Sequence, residues 1–297
     1  VLNKAKKKLG GKFRRYSLTV NPKIYRPSSS PFISGDTLRS ESKFIFDETQ
    51  TFNPLLVKTN DIVFLKTDLK EIYFKIQHPK INNKYILISH NSDMQISHTE
   101  KNLIDEKIIH WFGQNLSFKC DEKFSAIPIG FENRRYLHNG RLKNLKKIEG
   151  FKTNKNNKIL SSYSSTTNPQ TRNNLNEIIN ELKFINNVRF ENYFEYLINL
   201  KKHSFILCPE GNGLDTHRIW EALLTKTVPI LLKSDFSLNF YNLGMPIHIV
   251  NNWSDLEEID ESKINMMYED FINFEYSKFI KKEFWMNLIN EKKINQI

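Results

Sequence analysis

Short unbroken apolar runs, each closing on small, polar or acidic residues, recur along the first half of the chain. Ile62–Leu65 closes on Lys66-Thr67-Asp68, Tyr85–Ile88 on Ser89-His90-Asn91-Ser92-Asp93, and Ile108–Phe112 on Gly113-Gln114-Asn115. Pro31–Ile33, ending in Ser34-Gly35-Asp36, begins the series, and Ala126–Ile129, ending in Gly130–Arg134, closes it. Runs without alternation are the pattern of strands buried on both faces of a parallel sheet. Between them lie stretches compatible with helix, such as Thr37–Phe46 and Leu69–Gln77. The expected fold class is therefore α/β with doubly wound sheets. The polar endings should gather at the carboxyl edge of the strands, where such sheets bind ligands.

The second half repeats the theme with clearer punctuation. Lys158–Leu160 predicts a strand, and Ser161–Asn168 a loop. Asn168 and Pro169 suit the N-cap and first turn of a helix whose apolar face is Leu175, Ile178, Ile179 and Leu182. Further elements are expected at Phe184–Phe190 (strand), Tyr196–Lys202 (helix), Pro246–Val250 (strand) and Trp253–Ile259 (helix). The apolar residues after Ile264, among them Phe279 and Trp285, fall at helical spacing and read as core. Phe205–Lys233 is the richest stretch. Phe205–Cys208 has strand length, and Pro209 ends it because proline cannot donate to a ladder. Gly211 and Gly213 free the backbone to turn, and Asp215 or Thr216 is placed to cap a helix carrying Ile219, Leu223 and Leu224. Val228–Leu232 is the next strand, which completes a βαβ unit.

The polar residues of that unit fit a nucleoside diphosphate. A helix N-terminus attracts anions. Arg218 stands in the first turn, where a cation is unfavourable unless it meets an anion. Its planar guanidinium matches phosphate oxygens, and Glu221, on the same face, suits ribose hydroxyls. Ser162 and Tyr163, after the preceding strand, and Arg172, early in its helix, complete the expected donor-binding set with Pro209, Glu210, Gly211, Gly213, Asp215 and Thr216. An ordinary strand-turn-helix with surface charges would show many of the same features.

Composition narrows the choice. The 297 residues suffice for one large core or two domains. The net charge of +11 is concentrated: seven basic residues and no acid fall in Val1–Arg15, and seven basic residues against Glu149 fall in Arg141–Lys158. The rest of the chain is close to neutral. Such runs read as a solvated tail and a connecting segment, with weak attraction to an anionic membrane surface the next reading. Nothing resembles a nucleic-acid-binding motif, so no nucleic-acid partner is expected. The boundary is placed in Arg141–Asn157, dividing the chain into residues 1–150 and 151–297. Two cysteines, Cys120 and Cys208, make no disulfide framework, and a cytoplasmic location is expected.

The pattern P-E-G-x-G-x-D-x-x-R-x-x-E-A-L-x-x-x-x-V-P-I, from Pro209 to Ile230, resembles the donor-binding segment of exostosin-like glycosyltransferases. Lys226-Thr227-Val228 departs from that family's usual entry to the following strand. The resemblance covers about the last 140 residues, and the first half more loosely. It implies a GT-B architecture, two Rossmann-like domains facing a cleft, with a terminal helix that crosses back to the first. It also implies an inverting, metal-independent transferase that takes a sugar from a nucleoside-diphosphate donor, UDP-linked, to the hydroxyl of a glycan acceptor. No cofactor beyond that substrate is called for.

Such chemistry needs a base on the first domain's rim, for which Asp93, Asp36 and His90 lead and Asp68 and Glu132 follow. A simple N-cap is the bland reading of Asp36. No Asp-x-Asp occurs, and no His/Cys spacing suits zinc, so no metal site is expected. The absence of a Walker sequence and of a third glycine after Gly211 and Gly213 disfavours kinase and dehydrogenase. The alternatives kept are a UDP-sugar epimerase of GT-B shape and a non-catalytic carbohydrate-binding protein.

Overall fold

A computed structural model describes residues 25–295. Two five-stranded sheets, every strand parallel to its neighbours, divide these residues between them. The first runs in sequence order: β1 (Phe44–Phe46), β2 (Ile62–Lys66), β3 (Tyr85–His90), β4 (Ile108–Gly113) and β5 (Phe124–Ala126). The second comprises β6 (Asn156–Ser161), β7 (Ile185–Asn187), β8 (His203–Leu207), β9 (Val228–Leu232) and β10 (His248–Val250), in the order β7-β6-β8-β9-β10. The chain goes outward from β6 to β7 and then crosses back to β8. That reversal is the switch point at which doubly wound sheets open a ligand crevice. The whole is α/β and GT-B-like, two Rossmann-like units with a cleft between them.

The apolar runs behave as expected of buried strands: all six residues of β3 and all five of β8 are buried. Several local expectations differ. Pro31–Ile33 forms no strand, only the isolated bridge of Phe32 to Lys281, followed by that of Ser34 to Gly130. The helix that follows ends at Glu41, and β1 begins at Phe44 inside the stretch read as helix, because Phe44 and Phe46 alternate into the core beside Val63 and Leu65. Residues 67–80 form short 3-10, α and π turns. The connecting segment contains the helix Leu142–Glu149, which buries Leu145 and Ile148, and Asn156 and Asn157 already belong to β6. The basic run Val1–Arg15 lies outside the described residues.

The two units are tied together at both ends of the chain. Ile33 N–H donates to the Ile280 carbonyl at 3.0 Å, and Lys282 N–H to that of Pro31 at 2.9 Å. The last helix, Lys282–Glu291, then packs Trp285 edge-on against Trp220 of the helix His217–Leu224, with ring centroids 5.9 Å apart. Both indoles are fully buried, and side chains of that size contribute roughly 2–3 kcal/mol each by leaving water. Among the described residues no helix is long and apolar enough to cross a membrane.

Candidate functional site

A cavity of about 430 Å³ opens between the units at the switch point. Its second-unit wall is built from the ends of β6 and β8 and from the first turn of the helix His217–Leu224; Asp93, Ile129 and His138 close it from the first unit. Of the residues read as donor-binding, Ser162, Arg172, Gly211, Gly213, Asp215, Thr216, Arg218 and Glu221 line it.

Arg218 is the central group. Its Nε donates to the Ser162 carbonyl at 3.1 Å, and its guanidinium lies 5.8 Å from the centre of the Tyr163 ring. Nη1 is buried and has no hydrogen-bond partner. Among the described residues no carboxylate comes within ion-pairing distance of it, so a positioned cation on the cavity wall has no counter-ion from the protein. Thr216 occupies the N-cap position, but its side chain makes no capping bond and its Oγ1 is buried without a partner. The first-turn amides and this hydroxyl therefore add donors beside the guanidinium.

Several expected ligand contacts are instead structural. Arg172 donates from Nε to the Glu210 carbonyl (2.9 Å), from Nη1 to Ser164 (2.8 Å) and from Nη2 to Pro209 (3.3 Å). Nε and Nη2 thus hold the loop after β8, and Nη1 ties it to the loop after β6. Burial and the neighbouring Arg218 charge lower its pKa to about 10. Tyr163 lies beneath both guanidiniums and donates to Asn176 Oδ1, so it supports the site without entering it. Pro209 and Glu210 lend their carbonyls to Arg172 and do not line the cavity. Burial pushes the Glu210 carboxyl up. Asp215 caps nothing: Oδ2 accepts from Ile129 N–H at 2.7 Å and Oδ1 from Trp220 Nε1 at 2.9 Å. It joins the units, and burial raises its pKa to about 7 against those two bonds. Asn168 adopts a left-handed backbone (φ 52°) and donates its side chain to Gly211 O instead of capping its helix.

Gly213 acts by closeness and not by an unusual torsion. A Cβ on Gly213 would stand 2.6 Å from Asn115 Nδ2, whose own Oδ1 accepts from Asp215 N–H. One on Gly211 would meet nothing nearer than 3.5 Å. Glu221 is buried and accepts from the Tyr193 hydroxyl at 2.8 Å, yet still borders the cavity.

On the first unit, two of the three expected bases are removed. Asp36 is fully buried and takes Arg26 Nη1 at 2.9 Å and Asn91 Nδ2 at 3.2 Å, so it is a buried ion-pair partner, with Ser34 as the actual N-cap of its helix. His90 is fully buried, with Nε2 on the Pro128 carbonyl and Nδ1 accepting from Asn91 N–H. Both nitrogens are occupied, and burial lowers its pKa to about 4. Asp93 remains, exposed on the rim.

The residue that sequence reasoning passed over is His217. Its Nδ1 donates to the Gly130 carbonyl at 2.7 Å, which fixes the tautomer and turns Nε2 toward Glu132 Oε1, 3.6 Å away. Burial pulls its pKa down, but the Glu132 carboxylate and the Gly130 carbonyl carry it above the ordinary histidine value. No spacing signalled this. The pairing joins the first turn of a second-unit helix to the loop after β5, and only the cleft brings them together. Among the described residues no group of three or more His, Cys, Asp or Glu is placed to hold a metal ion.

No protein-family model matches the chain, and no curated protein matches it. Among solved structures it is similar to the UDP-GlcNAc 2-epimerase of Methanocaldococcus jannaschii, crystallised with UDP-GlcNAc and UDP. The match has 15% identity, covers 73% of this chain and 70% of that one, and has a TM-score of 0.33. A likeness of that degree speaks to neither substrate nor reaction.

Proposed function

We propose that the chain is an inverting, metal-independent glycosyltransferase of the exostosin-like kind, moving a sugar from a UDP-linked donor to a glycan hydroxyl. The observation that carries the reading is the Arg218 charge on the cavity wall with no protein carboxylate to pair it. A half-buried guanidinium with an unpartnered nitrogen, beside an uncapped helix N-terminus at a switch point, suits a diphosphate. These donors would stabilise the charge that develops on the leaving diphosphate. His217, oriented by Gly130 and backed by Glu132, is the base we assign to the acceptor hydroxyl, with Asp93 on the shared rim as the carboxylate that orients it.

A UDP-sugar epimerase of the same architecture would keep the donor cleft and dispense with the acceptor. A second polar cavity, bordering the first across His217 and Asp93, favours transfer, since it leaves room for a second substrate beside the base. The test is incubation with a panel of UDP-sugars, with and without glycan acceptors and with EDTA. A glycoside product unaffected by chelation is expected. An epimer from donor alone, or activity abolished by EDTA and restored by manganese, refutes the reading.

A further inference from the structure

The second cavity, about 440 Å³, lies wholly on the first unit's rim except for His217. Two of its side chains are nearly fully buried yet unsatisfied. Arg135 is 7% exposed, and neither Nε nor Nη1 has a hydrogen-bond partner; Gln114 is 2% exposed, and its Oε1 has none. Leaving such groups unbonded and out of water costs on the order of 1–3 kcal/mol each, more for a charged one. Both border the cavity, so a ligand there would meet donors from Arg135 and an acceptor from Gln114.

The charge around these groups is already balanced. Arg135 Nη1 lies 3.8 Å from Glu48, outside hydrogen-bond reach but close enough to offset its charge. Lys66 lies 3.6 Å from Glu48 and 3.7 Å from Asp68. Asp93 and Glu132 complete the wall, so an anionic ligand group would be set among carboxylates and a cationic one beside Arg135. What is missing is hydrogen bonding, not charge. Nor is there a platform for a nucleobase: Tyr136 is the aromatic ring at the rim, and the Arg135 guanidinium already covers it, 4.8 Å from its centre. A hydroxyl both accepts and donates. The hydroxyls of a saccharide can therefore offer acceptors to the Arg135 nitrogens and a donor to Gln114 Oε1.

We infer that this cavity is a subsite for an uncharged, polyhydroxylated unit, a neutral saccharide read by Arg135 and Gln114. Calling it the acceptor subsite rests on the transferase reading; the saccharide assignment rests on the cavity alone.

The full chain is titrated with methyl glycosides of neutral hexoses and pentoses, with a methyl hexuronate, and with UDP, by saturation-transfer NMR and calorimetry. A neutral glycoside is expected to bind, to stay bound when UDP is saturating, and to outcompete the hexuronate. Gln114→Met and Arg135→Met should each weaken it by about tenfold or more while UDP affinity stays within about twofold. Failure of every neutral glycoside to bind, tighter binding of the hexuronate, or displacement by UDP overturns the inference. The wild-type titrations decide it even if a variant does not fold. UDP binding without glycoside binding removes this subsite and leaves the donor cleft standing, whereas glycoside binding without UDP binding does the reverse.

Discussion

Replacing Arg218 with alanine tests the donor cleft most directly, because the residue's two roles separate. Toward the protein it makes one hydrogen bond, Nε to the Ser162 carbonyl, and lies over the Tyr163 ring. Losing that bond costs about 1 kcal/mol of stability. Toward the cavity, whose wall it forms, it presents a cation that no carboxylate pairs, with Nη1 unsatisfied by the protein. A charge-assisted hydrogen bond to phosphate is worth about 1.5–3 kcal/mol, so Arg218→Ala should raise the Kd for UDP by about 10- to 150-fold. Arg218→Lys, which keeps the charge and loses the planar fork, should fall between. The assay is calorimetric titration with UDP at two ionic strengths, after thermal melts confirm folding. The variant should also show weaker salt dependence, one cation having left the site. A folded alanine variant whose Kd stays within about threefold of wild type would show that Nη1 faces no phosphate.

His217→Gln should lower turnover by about 10²- to 10⁴-fold with little change in UDP binding, and Glu132→Gln should move the acidic limb of the pH–rate profile to lower pH, since the carboxylate holds the imidazole's pKa up; unchanged profiles in both would remove the pair from catalysis. Gly213→Ala should cost about 1–3 kcal/mol in denaturant melts, because its Cβ meets Asn115 at 2.6 Å, whereas Gly211→Ala should lie within about 0.5 kcal/mol of wild type. Asp215 has a folded-state pKa raised to about 7, so its contribution to stability is fully present below pH ~4 and is lost as pH rises through about 7. Urea melts of Asp215→Asn from pH 4 to 8 should lack that component of the wild-type decline, and an identical slope in both proteins would place the carboxyl outside this titration.

How much of this was legible beforehand depends on the range of the interaction. β2, β3, β4, β8 and β9 were readable because burial on both faces leaves an unbroken apolar run, a property of a few consecutive residues. The loop after β8 and Arg218 were readable because strand, turn and helix start follow one another locally. Asp36 and His90 were misread, and the structural bonds of Arg172 and Asp215 missed, for one reason: their partners Arg26, Pro128, Pro209 and Ile129 are set by tertiary packing. A polar residue at a strand end looks the same in sequence whether it faces a ligand or another loop. His217, Arg135 and Gln114 became visible only once the cleft showed which polar atoms were satisfied.

Those missed bonds explain why the open groups stay open. A buried guanidinium nitrogen without a partner persists only if its surroundings cannot shift to satisfy it. Here the loop after β8 is clamped by two Arg172 bonds and tied by a third to the loop after β6, and the start of the next helix is fixed by Asp215 to Ile129 and Trp220 and by His217 to Gly130. The Gly213–Asn115 contact leaves no slack between them. Arg218 is thus held by neighbours whose own hydrogen bonds are made to one another, and it lines the cavity with no protein carboxylate to pair it. If the cleft serves a diphosphate, loosening the clamp should weaken binding even with Arg218 intact, because the ligand would then bear the cost of ordering the loop.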